Sequence, residues 1–359
     1  MREQDFLKYL RRNPGPELPE LARFAHAVVI PAYREREELP AVLDSLARNK
    51  QAESVAVIVV VNHPAGSRAA QSLELLEHLR LRRQPRLFTL YAPDLTGGVG
   101  EARKAGMDCF VRSRRFGELD GCFIFSLDAD SPVAENYFST VIPALEASPA
   151  APGTVIGIRH RPAENEVQEQ AVRAYERYLF RYAEKLSAAG SPYGFVSIGS
   201  GFAVRTSAYV KAGGMRKKKA GEDFYFLQEL AKQGPPLKIA ETLVFPSPRL
   251  SARVPFGTGQ AVKNLLGGGA LDEIPDFAFE KLAELLADAN SPDGFLSDPA
   301  QTPPGDTAGF FEAEKFGTAW RSILANTPPL HEAKLKAFHR WFDGLKTLRF
   351  LHALQRQER

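Results

Sequence analysis

Between His26 and Phe245 the chain alternates short unbroken apolar runs with stretches whose apolar residues recur every three or four positions. The runs at 27–30, 55–61, 86–91 and 122–127 read as buried strands. Leu39, Val42, Leu43 and Leu46 set a helical spacing over 37–49, a second helix is predicted over 69–81, and a glycine-rich turn, LTGGVGEARKAG, launches a third. Strand and helix in repeated alternation predict a parallel sheet covered on both faces. The second half adds a strand at 154–158, a long helix over 166–186, strand and tight turn at 194–205, a helix opened by Glu222 and Asp223, and a strand at 237–245. Tyr175, Tyr178 and Tyr182 recur at helical spacing and predict a core-facing stripe.

Outside this region the pattern is helical. Residues 2–11 form a short amphipathic stretch stopped by Asn13-Pro14-Gly15-Pro16. One helix is predicted over 277–289 inside a Pro-, Asp- and Gly-rich segment, and a single amphipathic helix over 330–354. Three parts follow: a helical extension at 1–25, an α/β domain at 26–260, and a mostly helical extension at 261–359 packing on the main domain.

With 359 residues and 44% apolar content the chain can bury a substantial core. Lys and Arg number 46 against 43 Asp and Glu, a net charge of +3, which gives no field demanding a nucleic acid partner. Cys109 and Cys122 form no ligand pattern and suit a reducing compartment. The amino terminus is too charged for a signal peptide, and no run of about 18 apolar residues occurs. A cytoplasmic protein is expected, with the 330–354 helix as the segment for any peripheral membrane association.

Candidate chemistry concentrates where apolar runs end. In GCFIFSLDADSP, Asp128 and Asp130 follow a predicted strand, where ligands of open α/β sheets bind. Two carboxylates one residue apart can hold a hard cation on substrate phosphates; they can equally be a polar turn. Glu222 and Asp223 open a helix and can act as plain capping charges. Gly257 to Gly259 precede a helix start without the GKS/T ending of a P-loop.

In order along the chain, VVIPAYRERE after the first strand, the Gly/Ala/Arg helix start at 97–106, LDADSP, and AGED before a helix resemble the GT-A glycosyltransferases of family 2. The resemblance runs from about His26 to Gly234. It implies a GT-A fold: a Rossmann-like, mostly parallel central sheet flanked by helices, here with a C-terminal helical extension. It also implies a hexosyltransferase using a UDP- or GDP-linked nucleotide-diphospho-sugar, inverting and dependent on Mn2+ or Mg2+, in assembly of a cell-surface glycan. By the same resemblance Pro31, Ala32, Tyr33 and Glu35 line the base and ribose pocket. Gly98 and Lys104 fall on another donor-facing segment. Asp128 approaches the ribose, and Asp130, with Asp128, holds the metal on the diphosphate, with Ala129 on the same segment. Asp223 matches the family's general base, with Glu222 orienting it or touching the acceptor.

After the second strand many members carry Asp-Asp-Gly-Ser. Here Asn62, His63, Pro64, Ala65, Gly66 and Ser67 stand instead, which leaves the base preference open between uracil and guanine. His63 is read as a loop residue rather than a metal ligand. The late loop lacks the histidine that some GT-A enzymes add to the metal, so metal binding without the donor is expected to be weak. Arg249 and Arg253 could close over the donor diphosphate, and the cluster 216–219 could hold an acceptor phosphate. The acceptor is left as a glycan, lipid-linked or phosphorylated small molecule. The competing expectation is a catalytically silent GT-A-like binding module, favoured by the loss of the second-strand aspartates. A nucleotidyltransferase would want a glycine-rich signature after the first strand, which PAYRERE does not supply.

Overall fold

The structure is a computed structural model that describes residues 1–67, 69–82, 84–250, 257–298, 303 and 307–357. Its chain falls into two compact units, Met1–Tyr175 with Ser197–Gly269, and Glu176–Val196 with Ala270–Arg359. The second unit is therefore not a carboxyl-terminal extension alone, since it also takes residues 176–196 from the middle of the chain.

In the first unit, and among the described residues, seven strands form one sheet: β1 (His26–Ala32), β2 (Val55–Pro64), β3 (Leu87–Leu95), β4 (Phe123–Ser126), β5 (Gly153–Ile158), β6 (Phe202–Arg205) and β7 (Leu237–Val244). Their order is β3-β2-β1-β4-β6-β5-β7. Neighbours pair in parallel except on either side of β6, which runs antiparallel to both β4 and β5. Every residue of β1 is buried, which is what an unbroken apolar run demands of a strand covered on both faces. The helices of this unit are α1 (Glu3–Arg12), α2 (Leu39–Ala47), α3 (Ala70–Leu81), α4 (Gly98–Arg112), α5 (Tyr137–Glu146), the first half of α6 (Glu166–Ala188), α7 (Thr206–Lys211), α8 (Glu222–Ala231) and α9 (Thr258–Leu266). Helix α4 lies hard on the sheet: a Cβ on Gly106 would sit 2.5 Å from Val29 and 2.8 Å from Val60.

The second unit holds α10 (Asp276–Asn290), α11 (Ala308–Ala313), α12 (Phe316–Leu324), α13 (His331–Trp341) and α14 (Gly344–Gln357). Its core is aromatic, with Phe279, Phe311, Phe316, Trp320, Phe338 and Phe350 buried around Leu186 and Leu282. Tyr182 meets Phe279 edge-on at 5.9 Å, while Tyr175 packs on Val172 and Val262 in the first unit. Among the described residues no helix is long and apolar enough to cross a membrane.

Three differences from the sequence pattern have local causes. Strand β2 runs on to Pro64 because its ladder with β3 continues through Asn62 opposite Ala92 and Pro64 opposite Leu95, so Asn62 and His63 stand in a strand rather than a loop. The carboxyl-terminal stretch is two helices. Phe342 leaves helical backbone geometry and is buried, and the Asp343 carboxylate accepts the Lys346 N–H at the start of α14. Of the segment 194–205, only the last four residues are strand.

Candidate active site

Beyond β4 the chain turns at once, with the Leu127 N–H bonded to the Val29 carbonyl and the Ser131 N–H closing onto the Asp128 carbonyl. That turn presents Asp128 and Asp130 at the carboxyl edge of the parallel strands. The ends of β1, β2 and β3 and the start of α4 reach the same edge. Together they line a cavity of about 590 Å3. Pro31, Tyr33 and Glu35 come from β1 and its exit; Asn62, Pro64 and Ala65 from β2 and its exit; Leu95 and Thr96 from β3 and its exit; Gly98 and Val99 from α4. Asp128, Ala129 and Asp130 form one wall, and Lys219 and Arg249 add two cations.

Each aspartate carries its own guanidinium. The Arg103 Nη2 lies 2.6 Å from Asp128 Oδ1, and the Arg249 Nη2 lies 2.8 Å from Asp130 Oδ2 and 2.6 Å from Glu35 Oε1. Arg103 is fully buried, and it also donates to Ser126 Oγ at 3.0 Å, to the Gly199 carbonyl at 3.3 Å and to Glu222 Oε1 at 3.3 Å. Burial by itself would weaken its hold on a proton, but the charges of Asp128, Glu222 and Asp223 outweigh that and raise its pKa. Burial pushes the Asp130 carboxyl up to about 6; Asp128 pushes the same way and Arg249 opposes. One buried cation thus ties the end of β4 to the start of α8, across more than ninety residues of chain.

At that start, Gly221 adopts φ 70° and delivers Glu222 and Asp223 into the first turn of α8. Glu222 is buried, and desolvation raises its carboxyl while Arg103 holds it down. Asp223 is half-buried, its Oδ1 accepts the Phe224 N–H at 2.7 Å, and burial raises its pKa as well. It does not line the cavity, although the charges of Asp128 and Arg103 act on it. The loop before α8 packs on the glycines that open α4. The Gly100 N–H donates to the Lys218 carbonyl at 3.1 Å, and a Cβ at Gly100 would meet that oxygen at 2.7 Å and Glu222 Cβ at 2.9 Å. Glycine is required there by close approach. In the basic cluster Lys217 pairs with Glu101, Lys218 sits 3.8 Å over the Tyr225 ring, and Arg216 reaches Glu229 at 4.0 Å, while Lys219 lines the cavity.

Of the residues singled out from sequence, Pro31, Tyr33, Glu35, Asn62, Gly98, Asp128, Ala129, Asp130 and Arg249 come together on the cavity wall. Ala32 is buried in β1 opposite Val61 and is not part of that wall. Lys104, expected to face the donor, does not line the cavity: its ammonium points into a buried cluster, 2.9 Å from Asp108, whose other oxygen accepts from Tyr9 and Tyr209. One position earlier, Arg103 holds the place next to the site. The glycine-rich turn marks the helix start, but the helical period alone does not say which of two adjacent cations faces inward. Arg253 lies outside the described residues. His63 is buried with Nε2 3.0 Å from the Tyr91 hydroxyl.

Among the described residues no group of three or more His, Cys, Asp and Glu side chains is disposed to hold a metal ion. Asp128 and Asp130 nonetheless fit a hard cation of the Mg2+ or Mn2+ kind, which commonly takes one or two protein carboxylates and completes its shell with phosphate and water.

The sequence profile described as glycosyl transferase family 2 matches residues 27–211, just over half of the chain. No curated protein sequence matches it. Among solved structures it is similar to S. aureus TarS 1-349 in complex with UDP-GlcNAc, with 13% identity, 94% of this chain and 93% of that chain covered, and a TM-score of 0.47. The mannosyltransferase PcManGT from Pyrobaculum calidifontis in complex with GDP-Man and Mn2+ is similar at 14% identity, 94% of each chain and a TM-score of 0.44.

Proposed function

The chain belongs to glycosyl transferase family 2, and from that premise we propose that it moves a hexosyl group, with inversion, from a UDP- or GDP-sugar to a glycan, lipid-linked or phosphorylated acceptor. The observation that carries this is that Asp128 and Asp130 share one cavity with Tyr33, Glu35, Lys219 and Arg249. A nucleoside diphosphate needs a flat apolar surface for its base, acceptors for its ribose and base N–H groups, and cations for its phosphates. Tyr33, Pro31, Pro64 and Leu95 offer the first, Glu35 and Asn62 the second, Lys219 and Arg249 the third.

Asp128 and Asp130 would hold Mn2+ or Mg2+, and that ion when bound neutralises charge on the departing diphosphate. Asp223 receives the acceptor's hydroxyl proton as that oxygen forms its bond to the anomeric carbon and the bond to the diphosphate breaks. A carboxylate whose pKa is raised by burial is suited to that task. Arg103 holds the Asp128 and Glu222 carboxylates in place beside Asp223.

Calorimetric titration with UDP, GDP and their sugars, with and without Mn2+, tests the donor. Asp130→Asn should abolish the Mn2+-dependent part of binding. Asp223→Asn should keep donor binding and slow transfer by about 10²–10⁴-fold. A folded protein that binds no nucleotide would instead support a silent binding module.

A further inference from the structure

We infer that Arg249 stands in for the cation at Asp130 when no donor is bound, so that divalent metal and nucleoside diphosphate are taken up together rather than metal first. This rests on the donor-site assignment above and adds to it a coupling carried by one side chain.

The two aspartates are neutralised in unequal ways. The cation on Asp128 is Arg103, which is fully buried and donates as well to Ser126, Gly199 and Glu222, so it has no other place to go. The cation on Asp130 is Arg249, a third exposed, on the coil after β7 and on the cavity wall. Its Nη2 is shared between Asp130 Oδ2 at 2.8 Å and Glu35 Oε1 at 2.6 Å, so a single guanidinium nitrogen ties the two carboxylates together. A divalent ion held by Asp128 and Asp130 and this guanidinium repel one another and compete for the same Asp130 carboxylate.

An incoming diphosphate changes the balance. It offers Arg249 another anion in the same cavity, with the planar geometry that guanidinium prefers. Arg249 released from Asp130 leaves that carboxylate to the metal, and the metal in turn favours the released position. Metal and nucleotide each bind better when the other is present, by the same factor.

The test is Mn2+ binding, read from the electron paramagnetic resonance signal of free aqueous Mn2+, for wild type, Arg249→Gln and Arg249→Lys, alone and with saturating UDP or GDP. Wild type is expected to bind Mn2+ about tenfold or more tightly with nucleotide than without. Arg249→Gln should bind Mn2+ alone more tightly than wild type does and lose most of that nucleotide enhancement. Arg249→Lys, which keeps a charge at the site, should fall between them and guards against a folding defect in the neutral variant. Equal Mn2+ affinity for wild type and Arg249→Gln without nucleotide, or an enhancement that survives in Arg249→Gln, overturns the coupling and leaves the donor site standing. If neither protein binds Mn2+ under any condition while nucleotide still binds, the coupling and the metal assignment fall together.

Discussion

Replacing Arg103 by Met keeps the length of the side chain and removes its charge, leaving two carboxylates without their partner. Breaking a buried ion pair costs about 3–5 kcal/mol because the remaining charge stays buried. Asp128, a third exposed, can turn to water; Glu222, with 4% of its side chain exposed, cannot. The cost therefore sits near the low end, about 3 kcal/mol at pH 8. Its pH dependence is more telling. Desolvation already lifts the Glu222 carboxyl from 4.5 to about 7, against the pull of Arg103. Without that pull it stands higher still in the folded variant and unchanged in the unfolded chain. A carboxyl whose folded pKa exceeds its unfolded one destabilises the fold increasingly as pH rises between the two. The variant's deficit should widen from pH 6 to pH 8.5, by at most about 1.4 kcal/mol per pH unit. Urea denaturation followed by far-ultraviolet circular dichroism at both pH values measures it, and the same substitution in a Glu222→Gln background should lose the pH dependence. A deficit below about 1 kcal/mol at pH 8, or one that does not change with pH, would refute the view of Arg103 as the charge that holds this site together.

Gly100→Ala should weaken nucleotide binding as well as stability, because its methyl would push on the Lys218 carbonyl and on Glu222; titration calorimetry against wild type checks this. His26 is buried, accepts the Phe123 N–H at Nδ1, and is held by desolvation, with Arg114 adding, at about 4. Its neutral form is thus bound up with folding, so stability present above pH 6.5 should be lost as pH falls toward 4, by about 3 kcal/mol. His26→Gln should flatten that part of a denaturation series run from pH 7 to pH 4. In the second unit, Phe316→Ala should cost about 3–5 kcal/mol and shift tryptophan emission to the red, since Phe316 stacks on buried Trp320 at 5.5 Å.

Strands β1, β2, β4, β5 and β6 are legible as apolar runs because they are buried almost throughout, which leaves little room for polar residues, whereas β3 and β7 are largely part-exposed and carry a weaker signal. The site was legible to the extent that it hangs from strand ends: Tyr33, Glu35, Asn62, Asp128 and Asp130 each follow an apolar run closely and meet at one edge. What stayed hidden depends on contacts between distant segments. Nothing near Arg103 in sequence says that it meets Glu222, and although Asp108 lies one helical turn from Lys104, nothing nearby says that Tyr9 and Tyr209 close over the pair. Helix α5 carries Pro143 in its interior and so gives a weak signal from sequence. The helix at 331–341 reads as continuous with the next because Phe342 is apolar at a position where the backbone turns.

The second unit is assembled from two stretches of chain, and that imposes an order in time. During synthesis residues 176–196 emerge well before 270–359, and at about 5–20 residues per second the interval is on the order of ten seconds. Throughout it, Tyr182, Leu186 and Ala189 lack Phe279, Leu282 and the other side chains they will pack against. The first unit, by contrast, can close as soon as Gly269 has appeared. A ribosome pausing within 197–269 would therefore hold out an apolar helix end to any chaperone or neighbouring chain, and a protein cut before Ala270 would carry that end permanently.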